Sequence, residues 1–499
     1  MKRHDLRFAI VLTAGALALR LFRLGGQSLW VDELLTYHMS APKPGLTIVD
    51  YVLHNIHGPL HAFIVYLFQL VSSNDAWLRL PSALAGAAGV FYLYRWVRIW
   101  LDERTAKIAS VMLAIHPLHI YYSQELRNYS LLFFFAMFAS YHLHRLFTDD
   151  TVRGRITYAL SIVGAALSNF SSAFLYLVHT VLYLGPHGDR RRRVRRWAVV
   201  AILITVLLSP WIYRIYVVID VSKLVTPLGP GELETVERLR GESTLSLEAV
   251  PFALYAFSVG YAFGPSLRYL HENPHLSSVL RSHGAAVTWV AVVFGVVSIF
   301  GLVRLRRKRR FWSVVLYLTV PFLMTLILAW QNAKAFNVRY VLLAFPAYLC
   351  IVAAGLQALP RRAGLVATGA VMITLLIATA NYFFNGNYAR ENVRDSARFV
   401  ARQASDSDCV FAPAITEVFE HYYTGSHEVR RLFAPPGTAH DRIDERLAPV
   451  LSDCDTLWYV RARAWTYDPD GYVSELLHRA YPHSEVVEYE GVTVERLSR

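Results

Sequence analysis

Residues 8–24, FAIVLTAGALALRLFRL, form an apolar segment behind a basic start, Met1 to Arg7, and the acidic pair of Trp30-Val31-Asp32-Glu33 follows almost at once. Carboxylates are costly beside a bilayer, so a pair held there by a membrane anchor marks a candidate functional site. Standing alone, the pair also fits a solvated turn at a helix end. No small-residue cleavage site follows the apolar stretch, which reads as an anchor rather than a removed signal peptide.

Composition extends this reading to the whole chain. Of 499 residues, 55% are hydrophobic and 17% charged, and a mean hydropathy of +0.32 at this length requires repeated apolar blocks rather than one soluble core. A net charge of +13 raises nucleic acid as a partner. The basic residues, however, cluster in short loops between apolar blocks, at Arg190 to Arg196, Arg304 to Arg310, and Arg361-Arg362. Such clusters mark cytoplasmic loops, so the charge is topological and no nucleic acid is implied.

Eleven spans are expected, at 8–24, 80–98, 107–122, 129–147, 156–169, 171–185, 197–218, 284–303, 311–330, 338–358 and 363–384. The block Pro59 to Val71 has about a dozen apolar positions between Gly58-Pro59 and Ser72-Ser73-Asn74-Asp75, too few to cross a bilayer and suited to a helix at the interface. A cytoplasmic N-terminus and a cytoplasmic Arg190 cluster require an even number of spans between them, and six satisfy the rule. The same count places 25–78, 123–128, 219–283 and everything after about 385 on the external face of the cell membrane.

Two domains follow: a transmembrane domain, 1–384, with an external catalytic loop 25–78 and a second external loop 219–283, and an external domain, 385–499. The loop 219–283 carries the run Thr226 to Gly231 and the aromatic stretch Pro251 to Pro265 without obvious regular structure, as lids and binding elements do. The last domain mixes a helix-like stretch, Asn392 to Ala404, with strand-like runs Cys409-Val410-Phe411 and Leu457 to Val460, and reads as a small α/β unit. Cys409 and Cys454 are able to pair there if the compartment is oxidising, and Cys350 sits in an apolar block.

The external ends of the spans collect ionisable groups from distant parts of the chain. Asp32 and Glu33 follow the first span, and His54, His57 and His61 surround the interfacial helix. Ser123 to Tyr129 joins the third and fourth spans, and Lys334 and Arg339-Tyr340 lie between the ninth and tenth. Carboxylates and cations at an outer lipid boundary suit a reaction between a polar acceptor and a lipid-linked phosphate. Singly, arginines and lysines near span ends also snorkel to headgroups. The three histidines with Asp32 or Glu33 offer a divalent metal site, against which Pro59 interrupts the turn, and no cofactor is required by the sequence. His116, His119, His142 and His144 read as structural or cavity-lining.

Trp30 to Glu33, Asn55 to Leu60, Arg79-Leu80-Pro81-Ser82, Tyr122 to Tyr129, and Arg339-Tyr340 through Pro346 stand in the order seen in bacterial C-type glycosyltransferases, and the chain resembles their protein O-mannosyltransferase and aminoarabinose-transferase branch. The resemblance covers roughly 8–400. It implies an α-helical polytopic membrane fold and a polyprenyl-phosphate sugar donor used on the outer face, with an envelope protein, lipid or polysaccharide as acceptor. Carried over by residue, Asp32 matches the general base or acceptor-positioning carboxylate and Glu33 its neighbour. Glu125 and Arg127 match the motif near donor phosphate and sugar, Arg339 the later external cation, and His57, Tyr129 and Lys334 join them as donor contacts. Gly58-Pro59 departs from the Pro-Pro more usual in the branch.

Physically, Arg127 and Arg339 suit the growing charge on a leaving phosphate, and Asp32 beside those cations stays ionised to take the acceptor proton. Direct displacement then inverts the anomeric carbon. Two other readings remain: a flippase for lipid-linked sugars, which would favour repeats and a midplane site, and a non-catalytic partner in envelope assembly.

Overall fold

The computed structural model of the protein describes residues 3–41, 58–185, 189–218, 248–308, 310–331, 336–432, 434, 437–452 and 454–499. Its first part is helical: α1 (Arg3–Leu21), α2 (Val31–Ser40), α3 (Pro59–Gln69), α4 (Asp75–Trp100), α5 (Glu103–Ile115), α6 (Pro117–Ser123), α7 (Tyr129–Leu146), α8 (Val152–Ser168), α9 (Ser172–Leu184), α10 (Arg190–Val218), α11 (Ala249–Val259), α12 (Leu267–Glu272), α13 (Leu276–Leu305), α14 (Phe311–Trp330), α15 (Phe345–Leu356) and α16 (Arg361–Phe384). These helices overlap all eleven expected spans. By length and composition α10, α13, α14 and α16 are able to cross a membrane. With 11 residues, α3 is about half a bilayer long, too short to cross one.

Two segments differ from expectation. The span 107–122 is broken, because Pro117 bars the preceding residue from helical geometry and His116 takes φ −73°, ψ 122°. His116 Nδ1 then caps the new helix by accepting the Leu118 N–H at 3.2 Å, and Nε2 bonds the Phe257 carbonyl on α11 at 2.9 Å. The loop 219–283 is also more regular than expected. From 248 onward it forms α11, α12 and the start of α13, since the aromatic stretch buries Ala253, Ala256 and Phe257 against the bundle. Residues 219–247 lie outside the described residues.

Helix α4 is the central strut, packed against α1, α5 and α7. Small residues along it, Ala83, Ala85, Gly86, Ala87 and Gly89, let neighbouring backbones close in. At Gly86 a Cβ would collide with Ser123 Oγ at the end of α6, so this glycine admits the loop that carries Glu125 and Arg127.

After α16 the chain builds a five-stranded sheet in the order β2-β1-β3-β5-β4, from β1 (Cys409–Phe411), β2 (Val429–Arg430), β3 (Thr456–Arg461), β4 (His483–Tyr489) and β5 (Val492–Ser498). The first three are parallel and the β3-β5-β4 part is antiparallel. Successive residues face opposite sides, as a strand requires. Val410 packs with α17 (Val393–Gln403) and α18 (Thr416–Tyr422), and Phe411 with α19 (His440–Ser452) and α20 (Tyr472–Ala480). Cys409 and Cys454 are joined by a disulfide with a Cα–Cα distance of 5.9 Å. Leu34 of α2 lies in the same apolar cluster as Val393, Ala397 and Val410, so the sheet domain and the Asp32-Glu33 helix share a core.

Candidate active site

The turn before α2 carries too few apolar residues to hold itself, and arginines hold it instead. Arg79 on α4 donates to the carbonyls of Leu24, Gln27 and Ser28 at 3.2, 2.8 and 3.0 Å. Arg394 on α17 donates to those of Gly25 and Gly26 at 2.9 and 3.1 Å. Tyr422 accepts the Leu29 N–H at 2.8 Å and donates to Asp75 at 2.7 Å. With the turn fixed, Asp32 and Glu33 fall in the first turn of α2, where the helix dipole favours negative charge.

The two carboxylates then part company. Glu33 is fully buried and saturated: Oε1 accepts from Arg79 Nε at 2.8 Å and Leu126 N at 2.6 Å, and Oε2 from Arg79 Nη2 at 2.7 Å, Arg390 Nη1 at 2.9 Å and Trp30 N at 3.3 Å. Burial alone would raise its carboxyl, but the charges and hydrogen bonds of Arg79, the charge of Arg390 and the Leu126 amide hold it below the usual carboxylate range. Asp32 keeps about a quarter of its side chain exposed and pairs through Oδ2 with Arg339 at 2.8 Å and Arg127 at 3.5 Å. Arg127 also donates to the Asp32 carbonyl and Thr36 hydroxyl, each at 3.0 Å.

Glu125 lies in the turn between α6 and α7, 1% exposed. Gln124 pins that turn by donating to the Arg20 and Phe22 carbonyls at 2.9 and 2.8 Å, and Ser82 by donating to the Arg127 carbonyl at 3.2 Å. Glu125 Oε1 accepts from Arg390 Nη2 at 2.7 Å, while Oε2 has no hydrogen-bond partner among the described residues. Burial pushes this carboxyl up to about 6, with Arg390 opposing and Glu33 adding to the rise. Arg390 itself lies over the Tyr121 ring, 4.5 Å from its centroid.

These groups border a cavity of about 1380 Å³. Glu125, Tyr129, Arg339 and Arg390 line its polar end, and Phe252, Val290, Phe294 and Tyr348 belong to an extended apolar wall. The structure therefore joins Asp32, Glu33, Glu125, Arg127, Tyr129 and Arg339, residues up to 307 positions apart. Asp32, Glu33 and Arg127 are not among its lining residues; Arg127 and Asp32 meet the lining through Arg339, which pairs with Asp32. His57, His54 and Lys334 lie outside the described residues. His61 is buried on α3, and no group of three His, Cys, Asp or Glu residues able to hold a metal occurs among the described residues. Sequence reasoning missed Arg79, Arg390, Glu391 and Arg463. Arg79 stood inside a quoted motif without a role, and Arg390-Glu391 follow the last span by a few residues, the one signal that could have found them.

The pattern of the family described as dolichyl-phosphate-mannose-protein mannosyltransferase matches residues 56–213. The "Putative mannosyltransferase YycA" of Bacillus subtilis (strain 168) is 24% identical over 231 residues, covering 42% of this chain and 32% of that protein; the chain thus matches about a third of the relative's length. Among solved structures, ArnT from Cupriavidus metallidurans superposes over 98% of both chains in the apo state, with TM-score 0.54 and 13% identity. The same protein bound to undecaprenyl phosphate gives 0.52 and 14%, over 98% of this chain and 97% of ArnT. The Archaeoglobus fulgidus oligosaccharyltransferase in the apo form gives 0.52 and 12%, over 93% of this chain and 70% of that one. A likeness that runs the length of the chain, with the mannosyltransferase pattern in its first half, makes this a membrane protein of the C-type glycosyltransferase fold.

Proposed function

We propose that the protein transfers a sugar from a polyprenyl-phosphate donor to an envelope acceptor on the outer face of the cell membrane. The observation that carries this reading is the cavity, whose apolar wall suits a prenyl chain and whose polar end gathers arginines where a phosphate would lie. ArnT, similar over its whole length, is known bound to undecaprenyl phosphate, which supports a lipid phosphate as ligand.

In this mechanism Arg339 and Arg127 leave Asp32 Oδ2 for the donor phosphate, because the phosphodiester offers two anionic oxygens in place of one shared carboxylate oxygen and gains a second charge as the sugar leaves. Asp32, released, takes the proton of the acceptor hydroxyl or amine as that atom bonds to the anomeric carbon. The bond from that carbon to the phosphate oxygen breaks, the electron pair leaves with polyprenyl phosphate, and the two arginines meet its charge. Attack opposite the leaving group inverts the anomeric centre. Glu33 holds Arg79 and Arg390 in place and is an anchoring group. A second assignment of the base has its own support: Glu125 has an unpartnered oxygen, lines the cavity and has a carboxyl pushed up to about 6, values that suit a proton acceptor near neutral pH.

The deciding experiment incubates the purified protein with radiolabelled polyprenyl-phosphate sugars and envelope fractions. Label moving into one fraction together with free polyprenyl phosphate is the expected result. Exchange of intact donor between leaflets with no free polyprenyl phosphate, acceptor present, would replace the enzyme by a flippase.

A further inference from the structure

The roof of the cavity comes from the external domain, and the phosphate chemistry above makes no use of it. Between β3 and α20, Arg463 sits at φ 49°, ψ 44°, left-handed geometry that is unfavourable for a residue bearing a Cβ. Its side chain fixes the position. Nε and Nη2 donate to Glu391 Oε1 and Oε2 at 2.8 and 3.1 Å, a bidentate pair, and its carbonyl accepts the Thr466 amide and hydroxyl at 2.9 and 2.8 Å. The bend delivers Trp465 to the cavity lining, beside Glu391 and Arg463. There the indole lies parallel to the His271 ring on α12, centroids 5.4 Å apart. Glu391, Arg463 and Trp465 line the same cavity as Glu125, Arg339 and Arg390.

An apolar wall holds any prenyl chain, and two arginines hold any phosphate. Neither distinguishes one sugar from another, because sugars differ in the pattern of hydroxyls around a ring. Reading that pattern takes planar, fixed donors and acceptors beside a flat apolar surface, since a site that hydrogen-bonds a hydroxyl rejects analogues lacking it far better than a greasy pocket does. Glu391 and Arg463 provide the first, with Nη1 left outside their ion pair, and Trp465 the second. We infer that Glu391, Arg463 and Trp465 form the subsite for the sugar ring of the lipid-linked donor and select which sugar is transferred, an inference that rests on the donor reading above. The labour is divided: the membrane part takes the lipid phosphate, and the external domain reads the sugar.

The test uses the full-length protein and two kinds of probe, polyprenyl phosphate alone and polyprenyl phosphate carrying mannose, glucose or arabinose. In Glu391→Gln, Arg463→Ala and Trp465→Ala, affinity for the preferred sugar-bearing donor should fall about tenfold or more, as for loss of a central contact, while polyprenyl phosphate alone binds within about twofold of wild type. Trp465→Ala removes the ring without touching the ion pair, so it reads the subsite even where breaking the pair loosens the bend. Unchanged sugar preference with retained phosphate binding overturns the subsite alone, as do equal losses for both probes in Trp465→Ala. Failure of the wild-type protein to bind polyprenyl phosphate overturns the donor reading and the subsite together.

Discussion

Glu33 and Glu125 are held by one guanidinium: Arg390 Nη1 donates to Glu33 Oε2 at 2.9 Å and Nη2 to Glu125 Oε1 at 2.7 Å. Both carboxylates are buried, yet their protons are biased in opposite directions. The difference lies in the remaining donors. Glu33 has Arg79 and two backbone amides besides Arg390, whereas Glu125 has, among the described residues, Arg390 alone as hydrogen-bond donor.

That contrast predicts opposite roles in stability. The folded value of Glu33 lies below the unfolded 4.5, so its contribution is present above that value and is lost as pH falls. The folded value of Glu125 is about 6, so between about 4.5 and 6 the folded chain holds a proton that the unfolded chain has released, and stability falls as pH rises through that window. Thermal unfolding near pH 7.5 should show Glu33→Gln destabilised by about 3–5 kcal/mol, because Arg79 is left buried without its counter-charge. Glu125→Gln should lose less than about 1 kcal/mol, because Arg390 keeps Glu33 as its counter-charge and the Gln oxygen still accepts its N–H. Equal losses would deny the two carboxylates their different roles.

Turnover assigns the base. Asp32→Asn keeps the shape of the side chain and removes the proton acceptor, so the rate should fall about 100-fold or more. The same variant no longer competes for Arg339 and Arg127, so it should bind polyprenyl phosphate no more weakly than wild type. A rate that declines in acid around pH 6, with Glu125→Gln as inactive as Asp32→Asn, would move the proton to Glu125.

Replacing Arg127 or Arg339 by Ala should weaken polyprenyl phosphate binding by roughly 1.5–3 kcal/mol, the range for a hydrogen bond to a charged group. Lys at either position should recover part of the loss, since an ammonium cannot reproduce the planar fork of a guanidinium. Isothermal titration or a competition assay reads both. Unaltered affinity in both Ala variants would place the phosphate elsewhere.

Much of this site was legible because its residues carry charge where charge is costly. Asp32, Glu125, Arg127 and Arg339 flank apolar spans, and their shared position at span ends pointed to one another across hundreds of residues. The α/β domain was legible from strand-like runs and a polar helix. Its part in the site was not, because Glu391 and Arg463 are ordinary residues of a charged, soluble-looking segment until the sheet brings Arg463 back to the end of the last span. The break at His116-Pro117 was written in a single proline inside a run whose hydropathy reads as continuous. The helix Ala249–Val259 was obscured by its aromatic, proline-flanked sequence, and burial against the bundle decides it.

Topology supplies the last prediction, and the cysteines make it clean. Cys409 and Cys454 are bonded to each other and Cys350 is buried, so the unreduced protein offers a membrane-impermeant maleimide little background. Ser484 on β4 and Arg191 at the start of α10 are both exposed. In intact cells Ser484→Cys should label and Arg191→Cys should label only after permeabilisation, because the basic cluster at 190–196 is retained on the cytoplasmic side and a disulfide persists on the oxidising side. The bond closes a separation of 45 residues, so Cys409→Ser with Cys454→Ser should lower the stability of the sheet domain by about 2–4 kcal/mol. Labelling of Ser484→Cys only after lysis would turn the chain over in the membrane. It would also remove the outer-face reaction, since Asp32, Arg390 and the sheet domain belong to one packed assembly and must lie on the same side.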